Sequence, residues 1–217
     1  MLLTAGIVAF PQGGDLKKQT YFRLGFSIPS WKYRGYESKE SWEEGYNKKT
    51  GAIIEAGTIF MLNSIKLAPG MRIGINVDYL SVNYHRFGFQ DEDASENYIY
   101  IGSKVGPSFS FCPVQRLVFD AYAKINPVWV AGGLMYYHSE LFDDEVYVGF
   151  MGIRYSLGLN VRYSILMLGV EFNPGFAKLR YWDSEEKELT DEYLGNANDN
   201  KDKTPVPGVN FTVGLSF

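Results

Sequence analysis

The chain is poor in the residues from which small chemical sites are usually built. It has one cysteine, Cys112, and two histidines, His85 and His138. A single cysteine excludes an internal disulfide and any cysteine-cluster metal site. Cys112 stands in F-C-P and reads as a structural residue at a turn. No apolar run approaches the ~18 residues of a transmembrane helix. A spanning β-strand needs only ~9–11 residues of alternating pattern, so this lack leaves a membrane open. Basic charge is not in excess either. There are 21 Lys and Arg against 25 Asp and Glu, a formal charge of −4, which argues against a nucleic-acid partner. No phosphate loop, dinucleotide fingerprint or zinc spacing occurs, and no cofactor is expected.

What the chain does contain is a strand-and-turn composition: 16 Tyr, 15 Phe, 4 Trp and 23 Gly in 217 residues. The last stretch, Val206–Phe217, shows the pattern most plainly. Val209, Phe211, Val213, Leu215 and Phe217 alternate with Asn210, Thr212, Gly214 and Ser216, placing large apolar and small polar sets on opposite faces. Seven more stretches read alike: Thr20–Tyr33, Thr50–Leu62, Met71–Tyr84, Tyr98–Phe111, Leu117–Val130, Val146–Val161 and Ile165–Tyr181. In the second, Ile59 and Met61 fall on the polar side. The third breaks phase at Leu80–Val82, which predicts a bulge.

The connections alternate long and short. Residues 34–49, 88–97, 132–145 and 183–204 read as long polar loops; N-S-I-K-L-A-P-G, C-P-V-Q-R and Arg162–Ser164 read as short links. An even strand number then puts every long loop at one end and both termini at the other, the pattern of an up-and-down barrel in an outer membrane. Trp31, Tyr33, Tyr79, Tyr84, Tyr98, Trp129, Tyr181 and Trp182 are expected near strand ends, where interfacial girdles sit. Residues 1–19 read as an N-terminal segment or signal remnant and 20–217 as the barrel.

A lipocalin-type soluble barrel shares this alternation with the faces reversed. The polar face favours the transmembrane form and leaves a soluble lipocalin-like ligand-binding barrel as the lesser alternative. It is rich in Gly and Ser, which weaken a solvated strand but make room inside a narrow barrel. The long residues on that face are Arg23, Glu55, Arg72, Asp78, Lys104, Asp120, Lys124, Arg154 and Glu171, five bases and four acids. A near-balanced set fits a charge-paired lumen, because an unpaired buried charge is costly. The expected fold is therefore all-β, an eight-stranded antiparallel up-and-down transmembrane β-barrel.

From Thr20 to Phe217 the chain resembles the small eight-stranded outer-membrane barrels of OmpA/OmpX type. Its aromatic- and Gly-rich texture is most similar to the barrel proteins of Bacteroidota, including the PorT-like group. V-N-F-T-V-G-L-S-F resembles the terminal signal read by the barrel-assembly machinery, which would make Val209, Phe211, Val213, Leu215 and Phe217 an assembly signal. The resemblance implies a Gram-negative outer membrane, with lipid or lipopolysaccharide around the wall. It implies external long loops, periplasmic termini, and a structural or accessory role beside another envelope component, such as a larger outer-membrane protein complex.

Candidate chemistry is sparse. His138-Ser139-Glu140 is the one cluster suggesting a hydrolase, and a lipid A-acting acyl hydrolase or transferase is the enzymatic alternative. Neighbours on a strand point to opposite faces, so His138 and Ser139 converge only where the backbone turns. A narrow channel is the other alternative. Asn196–Asp202 has the oxygen density of a calcium loop without its Gly and distal Glu. Asp183–Gly195 could form a short helix. The N-F-T sequon at Asn210 lies inside a strand.

Overall fold

The computed structural model describes residues 16, 18–29, 46–48, 51–65, 67–89, 95–139, 142–182, 204–205 and 208–217. They form β1 (Gln19–Pro29), β2 (Tyr46–Lys48), β3 (Gly51–Met61), β4 (Met71–Phe89), β5 (Ser95–Val114), β6 (Leu117–Ser139), β7 (Phe142–Tyr163), β8 (Leu166–Asn173), β9 (Gly175–Trp182), β10 (Thr204–Pro205) and β11 (Gly208–Ser216). β2 and β3 share one stave, as do β8 and β9, and β10 and β11, giving a closed eight-stranded antiparallel barrel. Each stave pairs with its sequence neighbours. The last closes on the first, from Tyr21↔Ser216 to Pro29↔Gly208. Thr20 and Phe217 finish the seam, each amide donating to the other's carbonyl at 3.0 and 2.7 Å.

The alternation predicts the orientation of the wall. Leu168, Val170, Phe211 and Val213 lie outside at 59, 39, 45 and 47% exposure, while Arg154 and Glu171 lie inside at 1 and 2%. This is the reverse of a soluble protein. An apolar belt around a buried polar interior is stable only where the outer medium is itself apolar. Ile59 does sit on the inner face, where it packs with Tyr21 and Met167. The glycines make room as expected: at Gly158 an added Cβ would collide with the Tyr122 ring, and at Gly214 with the Arg23 stem.

The bulge in β4 is real and falls one residue earlier than the phase break suggests. Ala56 pairs with Leu80 but Gly57 with Asp78, and on the other side Asp78 pairs with Lys104 but Ser81 with Gly102. Tyr79 and Leu80 therefore both face outward, and Ser81, Asn83 and His85 turn in.

Other boundaries differ from the sequence reading. The expected loop at 132–145 is mostly strand: β6 and β7 stay paired from Gly132↔Gly149 to Ser139↔Phe142. The loop at 88–97 likewise contracts, because β4 and β5 remain paired out to Gly88↔Ser95. Polarity marked these residues as loop, but an antiparallel ladder tolerates polar side chains on both faces once it leaves the apolar belt. Tyr46–Lys48, inside the expected first loop, pairs with β4. Cys112 is not at a turn; it lies in β5, buried with Leu16 and Val118. Tyr98 faces inward and is buried, and Tyr79 is mid-strand, so neither stands at a girdle position; Tyr84 is exposed on the wall. Trp31, Tyr33, the helix at Asp183–Gly195 and Asn196–Asp202 fall outside the described residues, and only the backbone is described at Trp129, Tyr181 and Trp182.

The short links at one end are tight. Arg116 and Ser164 hold φ of 69° and 55° in two-residue turns, and the Ser164 amide donates to the Arg116 carbonyl at 2.9 Å.

Two substitutions test the wall. Leu168→Arg should destabilise the barrel by about 2–4 kcal/mol in lipid vesicles, the usual depth-dependent cost of a base on the lipid face. Ser164→Gly should stabilise it by about 1 kcal/mol by relieving the left-handed backbone. Both are read from urea unfolding followed by heat-modifiable gel migration.

Candidate functional site

The residues that could carry function converge in the middle of the lumen, because a period of two points every second side chain inward and eight staves bring them within reach. Glu171 from β8 is the centre. Its Oε2 lies 3.1 Å from Arg23 Nη2 and 3.6 Å from Lys124 Nζ. Lys104 Nζ bridges Glu171 Oε1 and Glu55 Oε1. The Tyr122 hydroxyl donates to Glu171 Oε2 at 2.9 Å, and Asn210 Nδ2 reaches Oε1 at 3.4 Å. Arg23 Nε sits 2.5 Å from Glu55 Oε2, off the N–H direction, so that contact is a charge pair and not an aligned hydrogen bond. Ser81 also donates to Glu55, at 3.1 Å.

Asp78 is held from two sides, by Lys124 Nζ at 2.5 Å and by the Tyr21 hydroxyl. Arg23 Nη1 donates to the Tyr122 hydroxyl at 3.0 Å and to Asn160 Oδ1 at 3.1 Å. The Lys124 ammonium lies 4.1 Å from the Tyr122 ring centroid, adding a cation–π contact. Toward the short-turn end a second group forms: Arg162 donates through Nε and Nη2 to the two oxygens of Asp120, at 2.6 and 3.0 Å, and Ser110 donates to Asp120 at 2.5 Å.

Of the nine charged residues on the polar face of the sequence, eight are buried in the lumen: Arg23, Glu55, Asp78, Lys104, Asp120, Lys124, Arg154 and Glu171. Arg72 is only partly buried and donates to the Met71 carbonyl at 2.8 Å. Arg162, expected in a turn, is buried in β7 and takes up Asp120. The cue was present: extending the period of β7 from Arg154 by eight residues lands on Arg162. Tyr21, Asn76, Tyr122, Asn160 and Asn210 also belong to the network, and only cross-strand register reveals them.

One carboxylate group among the described residues has metal-like spacing. Ligand oxygens of Glu55, Asp78 and Glu171 lie within 4.8 Å of one another. Lys104, Lys124 and Arg23 already thread between them, so the chain's own cations neutralise this cluster. The arrangement crosses the bore with salt-bridged side chains.

Higher in the lumen, His85 Nε2 lies 2.6 Å from Ser27 Oγ, which donates to Asn210 Oδ1 at 2.6 Å. Both Ser27 and His85 are fully buried. The cluster His138-Ser139-Glu140 falls at the end of β6, with Glu140 and the side chains of His138 and Ser139 outside the described residues. β6 stays extended through Ser139, with His138↔Asp143 and Ser139↔Phe142 in register, so the backbone does not turn between His138 and Ser139.

Val209, Phe211, Val213, Leu215 and Phe217 form the outer face of the closing strand, next to β1 and β8, with Val209 the least exposed.

This geometry defines a class: an eight-stranded outer-membrane-type β-barrel, apolar outside and charge-paired within. Solved structures agree. The chain is similar to the attachment invasion locus protein Ail of Yersinia pestis, with a TM-score of 0.51 and 14% identity over 93% of this chain and 99% of that one. It is similar to the outer-membrane protease OmpT of Escherichia coli, at a TM-score of 0.52 and 8% identity, covering 97% of this chain and 99% of that one. A major outer-membrane protein of Thermus thermophilus matches at a TM-score of 0.51 and 8% identity, covering 92% and 99%. At these identities the likeness is one of fold. No protein-family model and no curated protein matches the chain.

The network should be cooperative. Lys104→Met should destabilise the barrel by about 3 kcal/mol, since it strips a cation from two buried carboxylates. Adding Glu171→Gln should restore part of that loss in a double-mutant cycle of unfolding free energies.

Proposed function

We propose that this chain is an integral outer-membrane protein of a Gram-negative envelope that works as a closed structural or accessory subunit, holding another envelope component against its loops or its wall. The observation that carries this reading is the salt-bridged lumen. A bore crossed by Arg23, Lys104, Lys124 and their carboxylates leaves the outer surface as the place where the protein acts. In this reading the short links and both termini are periplasmic and the long connections external, as in barrels of this type. Lipid or lipopolysaccharide surrounds the belt, and the barrel-assembly machinery reads the closing strand.

The wall supports a protein partner in one region. Pro107, Ala121 and Ala123 are small outward residues among Phe109, Leu157 and Phe172, and they leave an apolar groove of about 680 Å³. A larger outer-membrane protein could seat an apolar ridge there. The fold does not choose between enzyme and non-enzyme, since a protease shares it. The non-enzymatic reading rests instead on the extended backbone at His138 and Ser139.

Two measurements test the proposal. In a planar bilayer the purified protein should stay silent; regular conductance steps would replace the closed subunit with a channel. In cross-linked native membranes the protein should co-purify with a larger envelope protein, and Ala123→Trp should weaken that recovery severalfold while leaving heat-modifiable migration intact. Recovery unchanged by Ala123→Trp would move the contact to the loops.

A further inference from the structure

Among the described residues the buried charges of the lumen do not cancel. The buried described residues include five bases, Arg23, Lys104, Lys124, Arg154 and Arg162, and four acids, Glu55, Asp78, Asp120 and Glu171. Each acid contacts a base, and four of the bases contact an acid. Arg154 is the one without a carboxylate among the described residues.

Arg154 is nonetheless held in place. Its guanidinium carbon lies 4.8 Å from the Tyr100 ring centroid, so one face is covered. Its stem lies over Gly175, where an added Cβ would fall 2.7 Å from Arg154 Cγ. The side chain is 1% exposed, and among the described residues neither Nε nor Nη2 has a hydrogen-bond partner. That edge of a guanidinium is the one that grips an oxyanion side-on through two parallel N–H bonds. Arg162 uses the same two nitrogens on Asp120, and Arg23 directs its own pair at Glu55 and Glu171. The pattern of this lumen is that the Nε and Nη2 edge of a buried arginine meets an oxyanion.

Two nearby features favour a ligand there. Asn173, on the neighbouring stave, commits its Oδ1 to the Ser156 hydroxyl at 2.6 Å, while its Nδ2 is buried with no acceptor. Beside Nη2 there is also room. An added Cβ on Gly208 would come no closer than 3.4 Å to Ile28 O and 3.5 Å to Arg154 Nη2, whereas at Gly169 it would fall 2.5 Å from Asn160 Oδ1.

We propose that Arg154, with the Asn173 amide, anchors a small-oxyanion site inside the lumen. The ligand is a free sulfate, phosphate or carboxylate ion that acts as counterion to this base, which has no carboxylate at contact distance among the described residues. The test uses the full chain refolded in detergent without lipopolysaccharide, so that lipid phosphate is not a source. Crystals grown with selenate should show an anomalous selenium peak within hydrogen-bond distance of Arg154 Nε and Nη2. A water molecule or a carboxylate of the chain on that edge, with no selenium, overturns the site. In solution, the unfolding temperature should rise as sulfate replaces chloride at constant ionic strength. The rise should vanish in Arg154→Met and in Gly208→Asp, which tethers a carboxylate beside the guanidinium. A rise of equal size in both variants, or none in the parent, overturns it as well. Should Arg154→Met fail to fold, the Gly208→Asp comparison and the selenate map still decide.

Discussion

Every lumen carboxylate of the described barrel touches a cation, and the rest of the structure depends on that pairing. A closed barrel in lipid must hide its polar face somewhere, and with eight staves the interior has room for side chains and little else. Charges placed there lose most of their hydration and persist only with a partner at contact distance. Glu171 makes the point, because Arg23, Lys104 and Lys124 all reach it from different staves. Those three contacts tie β1, β5 and β6 to β8 across the bore, which backbone ladders between adjacent strands cannot do.

The same constraint explains the distribution of small residues. Arg23 and Tyr122 are long and must lie across the bore; the Tyr122 ring covers Gly158, and Gly214 stands in register beside the root of Arg23. A large side chain at either would push against a network in which each long residue serves two or three partners. The interior is thus a sparse set of long polar residues spaced by glycines, in contrast to the interdigitated apolar packing of a soluble core.

The inside and the outside of the wall were legible in the sequence because the period of a strand is two and the solvent on each side differs. Arg23, Glu55, Lys104 and Glu171 could be assigned to one interior from alternation alone. Which of them touch could not, because pairing across the bore depends on stagger between staves, and stagger leaves no mark along a single strand. Arg72 and Arg162 show the limit in another way. Both sit at strand ends, where one residue more or less of strand decides between rim and lumen. His85 was hidden by the bulge, since the extra outward residue at Tyr79 and Leu80 reverses the phase of everything after it in β4. The hairpin of β6 and β7 was missed for a physical reason as well: beyond the apolar belt the alternation that marks a strand is no longer imposed.

Closure carries the last consequence. Because β11 pairs with both β1 and β8, the final residues of the chain complete the wall and the network together. Asn210 and Thr212 face the bore from that strand while Phe211 and Val213 face lipid. Until β11 docks, the seam leaves unpaired backbone along β1 and β8, and Glu171 lacks the Asn210 amide. Unpaired edges and exposed charge are both untenable in a hydrocarbon core. The alternation of Val209, Phe211, Val213, Leu215 and Phe217 is therefore demanded by the physics of closure itself.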